Sequence, residues 1–236
     1  MSKMSEIKSK IFILSLGGSL IVPDNEIDTV FLSEFNAFIR RWVEKGWRFV
    51  IVAGGGTVAR RYRDAGRAVI GHELTEDDLD WLGIHATRLN AHLIRTIFRD
   101  IAHPNIVKHY EIIIKTDKPI LVAGGWKPGH STDFCAVTLA KDYGAAQVIN
   151  MTNIDQVYSA DPKSDPNAQA LKEISWRKYR RVVGDVWKPG MNVPFDPVAS
   201  RKAQELGLTV KVLNGKNLEN LEKCLRGEEF IGTTIR

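Results

Sequence analysis

Three glycine-rich turns are the segments of this chain best suited to chemistry. Each follows an apolar, strand-like run, in residues 11–19, 49–56 and 120–133. Glycine lets backbone N–H groups approach an anion closely, and a helix that begins behind the turn adds partial positive charge. Three such turns predict that strand ends collect around a phosphate-like group, so a phosphorylated small molecule is the first hypothesis.

The second turn is more informative than the first. Gly17 and Gly18, followed by Ser19, would by themselves suit an ordinary structural turn. Residues 54–56 are three consecutive glycines, which are costly to order, and a tight turn that needs only one would not use them. Arg60 stands on the first turn of the following helical segment, so its guanidinium could reach the same anion as the glycine amides.

The third turn is the most specific segment. Residues 124–133 combine donor glycines with a lysine, two hydroxyls and Asp133 at a helix start. Ser131 and Thr132 could also be plain helix N-caps, which is the structural alternative. The density of donors in ten residues favours contact with a ligand.

A long polar loop, residues 152–163, follows the apolar run 147–151. Open α/β sheets bind ligands at the carboxyl ends of their strands. Tyr158 could stack on a base, Asp161 could accept from a sugar or hold Mg²⁺, and Lys163 could neutralise phosphate; an ordinary turn built on Asp-Pro pairs is the alternative. There is no P-loop and no G-x-G-x-x-G sequence, which disfavours a dinucleotide-binding fold.

The rest of the pattern predicts an α/β fold. Apolar strands at 11–16, 47–52, 119–123, 147–151 and 209–213 alternate with helical segments, among them a short basic helix at 57–65 and a long amphipathic helix that starts at Thr75. Such alternation requires a largely parallel sheet covered on both faces. We expect residues 1–236 to form one domain, with a change of lobe near residue 125.

The composition is that of an ordinary globular protein. The chain has 236 residues, 44% of them hydrophobic and 26% charged, and a net charge of +5. It has no apolar run of membrane-spanning length and no signal-peptide pattern. Its two cysteines, Cys135 and Cys224, are expected to be reduced thiols, so we expect a cytoplasmic location. Two clusters of basic residues, 60–63 and 177–181, are interpreted as solvated helix faces, with no nucleic-acid or membrane partner.

Six motifs, in order, resemble the amino acid kinase family, and within it the archaeal type of uridylate (UMP) kinase. They are L-G-G-S at 16–19, G-G-G-x-x-A-R at 54–60, D-x-x-G-I-x-A-T-R-L-N-A at 80–91, G-G-x-x-P-G-H-S-T-D at 124–133, T-N-I-D-x-V-Y-x-A-D-P at 152–162 and G-T-x-I at 232–235. The resemblance covers residues 11 to about 235.

The resemblance implies a three-layer αβα fold and direct in-line transfer of the γ-phosphoryl group of ATP to the phosphate of UMP, with Mg²⁺ accompanying ATP. It also implies a homo-oligomer, a hexamer built as a trimer of dimers, with the helix through residues 82–93 at a dimer contact. The UMP-binding residues it implies are Gly55, Asp80, Trp126, Lys127, Pro128, Gly129, His130, Ser131 and Thr132. The ATP-binding residues it implies are Gly18, Ser19, Gly56, Arg60, Thr152, Asn153, Tyr158 and Asp161.

The sequence departs from the family pattern at two positions. Many members carry a lysine where Ser15 stands, so another cation must stabilise the transferred phosphoryl group. The candidates are Arg60, Lys127, Lys163 and Lys188, and we assign no protein side chain to a metal. Gln156 replaces a usual glycine, which predicts a strained or reshaped turn if that turn needs a positive φ.

Two alternatives to a UMP kinase remain open at this point. One is a kinase of the same fold that acts on another small acidic acceptor, such as a carbamate, an acylglutamate or isopentenyl phosphate. The other is a non-catalytic protein of the same fold that binds or stores a nucleotide or an oxyanion, since some relatives of uridylate kinases store molybdate or tungstate.

Overall fold

The computed structural model describes residues 10–160, 164–186, 191 and 193–236. Its first half contains β1 (Ile11–Leu16), α1 (Gly18–Ile21), α2 (Thr29–Glu44), β2 (Arg48–Ala53), α3 (Gly56–Ile70), a 3-10 turn (Gly71–Glu73), α4 (Glu76–Ile97) and β3 (Ile120–Ala123). Its second half contains α5 (Thr132–Asp142), β4 (Gln147–Thr152), β5 (Val157–Tyr158), β6 (Ala170–Leu171), β7 (Glu173–Ile174), α6 (Trp176–Val183), α7 (Pro197–Glu205), β8 (Thr209–Asn214), α8 (Leu218–Arg226) and β9 (Thr233–Ile235).

Seven of these strands form one twisted sheet in the order β3-β2-β1-β4-β8-β9-β7. All neighbouring pairs are parallel except β8 and β9, which run antiparallel. The predicted, mainly parallel sheet is therefore confirmed. Because β1 lies between β2 and β4, the glycine turns that follow β1 and β2 emerge side by side at one edge of the sheet.

Alternate side chains of β1 separate the two faces of the sheet. Phe12, Leu14 and Leu16 pack in a core with α2, α4 and α8. Ile13 packs on the opposite face in a second core with α5, α6 and α7. Both faces are covered by helices, so the predicted three-layer αβα architecture is confirmed.

Helix starts follow the sequence signals closely. Thr75 and Asp78 form a reciprocal capping box at the start of α4, as the run of acidic residues after Thr75 predicts. The predicted end of the short basic helix at residue 65 was wrong, because α3 continues to Ile70. Gly66 does not end this helix; a Cβ there would lie 3.3 Å from a methyl of Leu74, so the glycine serves close packing instead.

No helix in the described part of the chain combines the length and apolarity that a bilayer crossing requires.

Candidate active site

A cavity of about 700 Å³ opens at the carboxyl ends of β1, β2 and β4. Its wall includes the first two glycine turns, the start of α4, part of the third glycine segment and the loop before α7. Of the residues predicted to bind a ligand, those in the wall are Gly18, Ser19, Gly55, Gly56, Arg60, Asp80, His130, Ser131, Thr132, Thr152 and Asn153. The sheet thus brings together residues from five separate segments of the chain.

The first two glycine turns are packed directly on each other. The amide of Gly54 donates to the carbonyl of Leu16 at 2.8 Å. A Cβ on Gly18 would overlap the backbone nitrogen of Gly56, and one on Gly56, whose φ is +59°, would lie 2.6 Å from the carbonyl carbon of Gly18. Glycine is therefore required at both positions by the close approach, and at Gly56 also by the backbone conformation.

The third glycine segment is fastened to the start of α4. The carboxylate of Asp80 accepts a hydrogen bond of 2.7 Å from the amide of Gly129. Burial raises the pKa of Asp80 above its usual value, although the guanidinium of Arg63 nearby opposes the shift. Asp80 therefore fixes the distance between α4 and the third glycine segment, which is predicted to bind UMP.

That segment reaches the cavity at Gly125 and again in its later part. His130, Ser131 and Thr132 lie in the wall, whereas residues 126–129 do not. The ring of Trp126 packs against Tyr110 and His130, and the ammonium of Lys127 lies over the Trp126 ring at 4.3 Å from its centroid. In this arrangement Lys127 is directed to an aromatic face and not to the cavity.

Two aspartates lie in the cavity wall, Asp133 half-buried and Asp196 buried. The hydroxyl of Ser15 donates to Asp133 at 3.1 Å, and the backbone amide of Asp196 donates to the other oxygen of the same carboxylate at 3.2 Å. Asp196 caps α7 through the amides of Val198 and Ala199 and accepts from the hydroxyl of Ser131. Burial, reinforced by repulsion from Asp196, raises the pKa of Asp133 to about 7, and burial also raises that of Asp196.

Three cationic side chains lie in the described wall: Arg60, Arg63 and Lys216. Arg60 donates to the hydroxyl of Thr57 at 2.7 Å. Lys216 follows β8 and forms an ion pair of 3.0 Å with Asp28, the N-cap of α2. The other lysines predicted to stabilise charge, Lys163 and Lys188, lie outside the described residues, as does Asp161.

The predicted ATP-side residues are placed unevenly. Thr152 and Asn153 lie in the cavity wall at the end of β4, whereas Tyr158 lies in β5, pairs with Ala170 of β6 and is not part of the wall.

Gln156 is not strained. No non-glycine residue in the described ranges has a positive φ, and the Gln156 amide donates to the carbonyl of Gly232 at 3.1 Å. The positive φ on which the predicted strain depended is therefore absent at Gln156, and its side chain connects the loop to the segment before β9.

Sequence reasoning missed several residues of the wall. Among them are Arg63, Thr87, Asn150, Asp196 and Lys216. Asp196 had a readable signal, because an aspartate directly before Pro197 at a helix start is a typical N-cap. Lys216 had none, since its position depends on β8 lying beside β4.

The donor set of the cavity is compatible with Mg²⁺. Magnesium prefers oxygen ligands and is usually held by one or two carboxylates together with water and substrate phosphates. Asp133 and Asp196 supply two adjacent carboxylates, and neither forms an ion pair with a described residue. Burial is the main cause of the raised pKa of each carboxyl, and a divalent cation would favour the ionised form of both.

Comparison with known proteins gives the class of this chain. Residues 10–214 match the model of the amino acid kinase family. The chain therefore belongs to the amino acid kinase family, as its six motifs and its sheet order indicate.

The similar proteins within that family are uridylate kinases. A uridylate kinase of Methanospirillum hungatei is 36% identical over 226 residues, which cover 94% of this chain and 93% of the relative. One from Methanosarcina barkeri is 37% identical over 92% of each chain. The crystal structure of uridylate kinase from Archaeoglobus fulgidus has a TM-score of 0.78 at 32% identity, covering 96% of this chain and 99% of the other.

The fold itself extends to more distant proteins. UMP kinase from Bacillus anthracis has a TM-score of 0.74 over 96% of each chain, although only 19% of the residues are identical. That likeness supports the three-layer sheet architecture alone.

Proposed function

We propose that this protein is an enzyme that phosphorylates UMP to UDP with ATP. The observation that carries the proposal is the cavity in which the first two glycine turns meet the third glycine segment across the carboxyl edge of the sheet. Uridylate kinases that are 36–37% identical over more than nine tenths of the chain support this acceptor in preference to another small acid.

Within the cavity we assign the acceptor side to α4 and the third glycine segment. UMP would contact Gly55 and Asp80 together with residues 130–132, which lie in the wall, whereas residues 126–129 lie outside it and stay a prediction from the family resemblance. ATP would lie against Gly18, Ser19, Gly56 and Arg60 and would reach Thr152, Asn153, Tyr158 and Asp161. The cavity volume of about 700 Å³ supports the presence of two nucleotide phosphate chains at once.

Phosphoryl transfer depends on positioning and charge neutralisation more than on covalent chemistry. The glycine amides and the N-termini of α3 and α5 would hold phosphate oxygens. Arg60 and Lys216 would neutralise charge, with Lys216 compensating for the absence of a lysine at position 15. Asp133 and Asp196 would hold the Mg²⁺ that accompanies ATP, and the cation would supply positive charge that neutralises the phosphates.

The proposal is tested by incubating purified protein with ATP, Mg²⁺ and a panel of acceptors in a coupled ADP assay. We expect UMP to be the best acceptor and UDP to be the product. Turnover with isopentenyl phosphate or an acylglutamate but not with UMP would show that the protein is a kinase of the same fold with another acceptor. Binding of nucleotide or oxyanion without turnover would favour a storage role.

We further propose that the two lobes share one domain and divide at about residue 125, so that β1 to β3 belong to the acceptor lobe and the later strands to the ATP lobe. One continuous sheet that includes strands from both lobes supports this division within a single domain.

A cytoplasmic location is supported by the two free, buried cysteines, since disulfides are rare in that compartment.

We also expect the protein to be a homo-oligomer, with a hexamer as the proposed form. Large apolar side chains are exposed on the packed helices α3 and α4: Tyr62, Val69 and Ile70 on the first and Trp81 and Leu89 on the second. Light scattering should give a mass that is a multiple of 26.5 kDa. Replacing Leu89 by glutamate should lower that mass, and a monomeric wild-type protein would contradict the proposal.

A further inference from the structure

Asn90 is a buried polar residue with no part in the roles assigned above. It lies on α4, its residue is 4% exposed, and it is not in the cavity wall. Its side-chain amide donates to the carbonyl of Gly54 at 2.8 Å and more weakly to that of Gly55 at 3.4 Å. Both carbonyls belong to the second glycine turn, so one side chain controls two successive peptide groups.

Those two peptide groups have a fixed internal geometry. In a trans peptide the C=O and the following N–H point in opposite directions, and the described chain contains no cis peptide. When Asn90 holds the carbonyls of Gly54 and Gly55 against α4, the amides of Gly55 and Gly56 must face away from α4. These two amides donate to no acceptor among the described residues, and both glycines lie in the cavity wall.

A run of three glycines does not choose this orientation for itself. Glycine adopts positive and negative φ about equally readily, so each peptide plane in residues 54–56 can turn over at little steric cost. With the planes reversed, carbonyl oxygens would face the cavity and repel an anion. The amide of Ala59 donates to the carbonyl of Gly55 at 3.3 Å, but the carbonyl of Gly54 has no backbone donor among the described residues. A side-chain donor that stays away from the ligand is therefore needed at Gly54, and Asn90 supplies it.

The same helix supports the third glycine turn. Arg88 donates to the carbonyls of Gly125 and Trp126, at 3.0 and 2.7 Å, and the hydroxyl of Thr87 accepts from the amide of Gly125 at 2.7 Å. The second and third glycine turns, which are far apart in sequence, are thus both held by hydrogen bonds to neighbouring residues of α4.

We propose that Asn90 is a positioning residue that directs the amide of Gly55 toward the phosphate of the acceptor nucleotide and the amide of Gly56 toward the transferred phosphoryl group. This inference rests on the proposed function, because it takes UMP as the ligand of that turn. Asn90 would act through the backbone and would not contact the substrate.

The test compares Asn90→Ala and Asn90→Asp with wild type by calorimetry, with UMP, uridine and inorganic phosphate as probes. Asn90→Asp preserves size but replaces the donor with an acceptor that repels both carbonyls. We expect each variant to lose at least ~10-fold in UMP affinity, equivalent to about 1.4 kcal/mol. We expect less than about a twofold change for uridine, which lacks the phosphate; a general loss of structure would weaken both.

Asn220 offers a matched control. It is likewise buried, at 6% exposure, and its amide donates to a backbone carbonyl, that of Ile231, at 2.7 Å, but it lies on α8 outside the cavity wall. Asn220→Ala should lower the melting temperature, because it removes two hydrogen bonds between the side chain and the backbone of Ile231. It should leave UMP affinity within about twofold of wild type, because no group of the cavity wall is affected.

The inference is overturned if the folded Asn90 variants bind UMP as wild type does, if they lose UMP and uridine affinity equally, or if wild type binds neither UMP nor phosphate. Binding of UMP by wild type without formation of UDP would overturn the proposed function alone, and the comparison of variants would still decide the role of Asn90.

Discussion

Replacing Gly56 by alanine is expected to lower kcat/KM for UDP formation by at least ~100-fold, about 2.7 kcal/mol of transition-state stabilisation. The residue has a φ of +59°, and a Cβ would press on the backbone of Gly18, which lies 2.6 Å away at its carbonyl carbon. Because the obstacle is backbone on both sides, the two turns must separate. The amides that face the transferred phosphoryl group would then no longer converge on it.

Gly144 is the matched control for this change. It has a similar φ of +66°, but a Cβ there meets nothing within 4 Å. Gly144→Ala therefore incurs only the conformational cost of a left-handed alanine, about 1–2 kcal/mol, and should retain activity. Steady-state kinetics and thermal unfolding of both variants separate the effects. Equal kcat/KM in the two variants would mean that the contact between Gly18 and Gly56 does not position the reaction.

The second large effect is expected at Asp133. Asp133→Asn removes one of the two carboxylates that lie side by side in the cavity wall. We expect a loss of at least ~100-fold in kcat, because a neutral amide neither attracts a divalent cation nor compensates Arg60 and Lys216 across the phosphates. Asp142→Asn is the control on the same helix, since burial also raises the pKa of Asp142, but that residue ends α5 far from the turn.

The stability of Asp133→Asn relative to wild type is expected to depend on pH. The pKa of Asp133 is raised to about 7, from 3.8 for an exposed carboxyl, so the folded state retains a proton that the unfolded state releases. Its contribution to stability is fully present below pH 3.8 and is lost as the pH rises toward 7. Asparagine cannot ionise. The free energy of unfolding of Asp133→Asn relative to wild type should therefore rise by about 2 kcal/mol between pH 5 and pH 8.

Denaturant unfolding at the two pH values measures this difference. A relative stability that stays constant, or falls, between pH 5 and pH 8 would contradict the assignment of a protonated Asp133 in the folded state at pH 5.

The fold was predictable because its signals are local. Apolar runs ending in glycine, the acidic start of α4 and the alternation of strand and helix each constrain a neighbourhood, and a parallel sheet is their simplest common solution. The end of α3 was not predictable in this way. Gly66 looks like a helix stop in sequence, but its role is to admit the side chain of Leu74, which is a tertiary contact.

The candidate site was predictable where backbone chemistry dominates and not where charges converge. The glycine turns are placed by motifs at strand ends, and Asp80 by a motif in the first turns of α4. Lys216 reaches the cavity only because β8 pairs with β4, and Asp133 meets Asp196 only because α5 and α7 pack on one face. Such side-chain encounters depend on register between distant segments, which no local pattern specifies.

The most direct test of the central claim is steady-state turnover of the purified wild-type protein with ATP, Mg²⁺ and UMP, followed by chromatographic identification of the nucleotide products. We expect UDP and ADP to form in equal amounts, and UMP to be preferred over CMP and dUMP as the acceptor. A folded protein that forms no UDP from UMP, at any metal concentration tested, would contradict it.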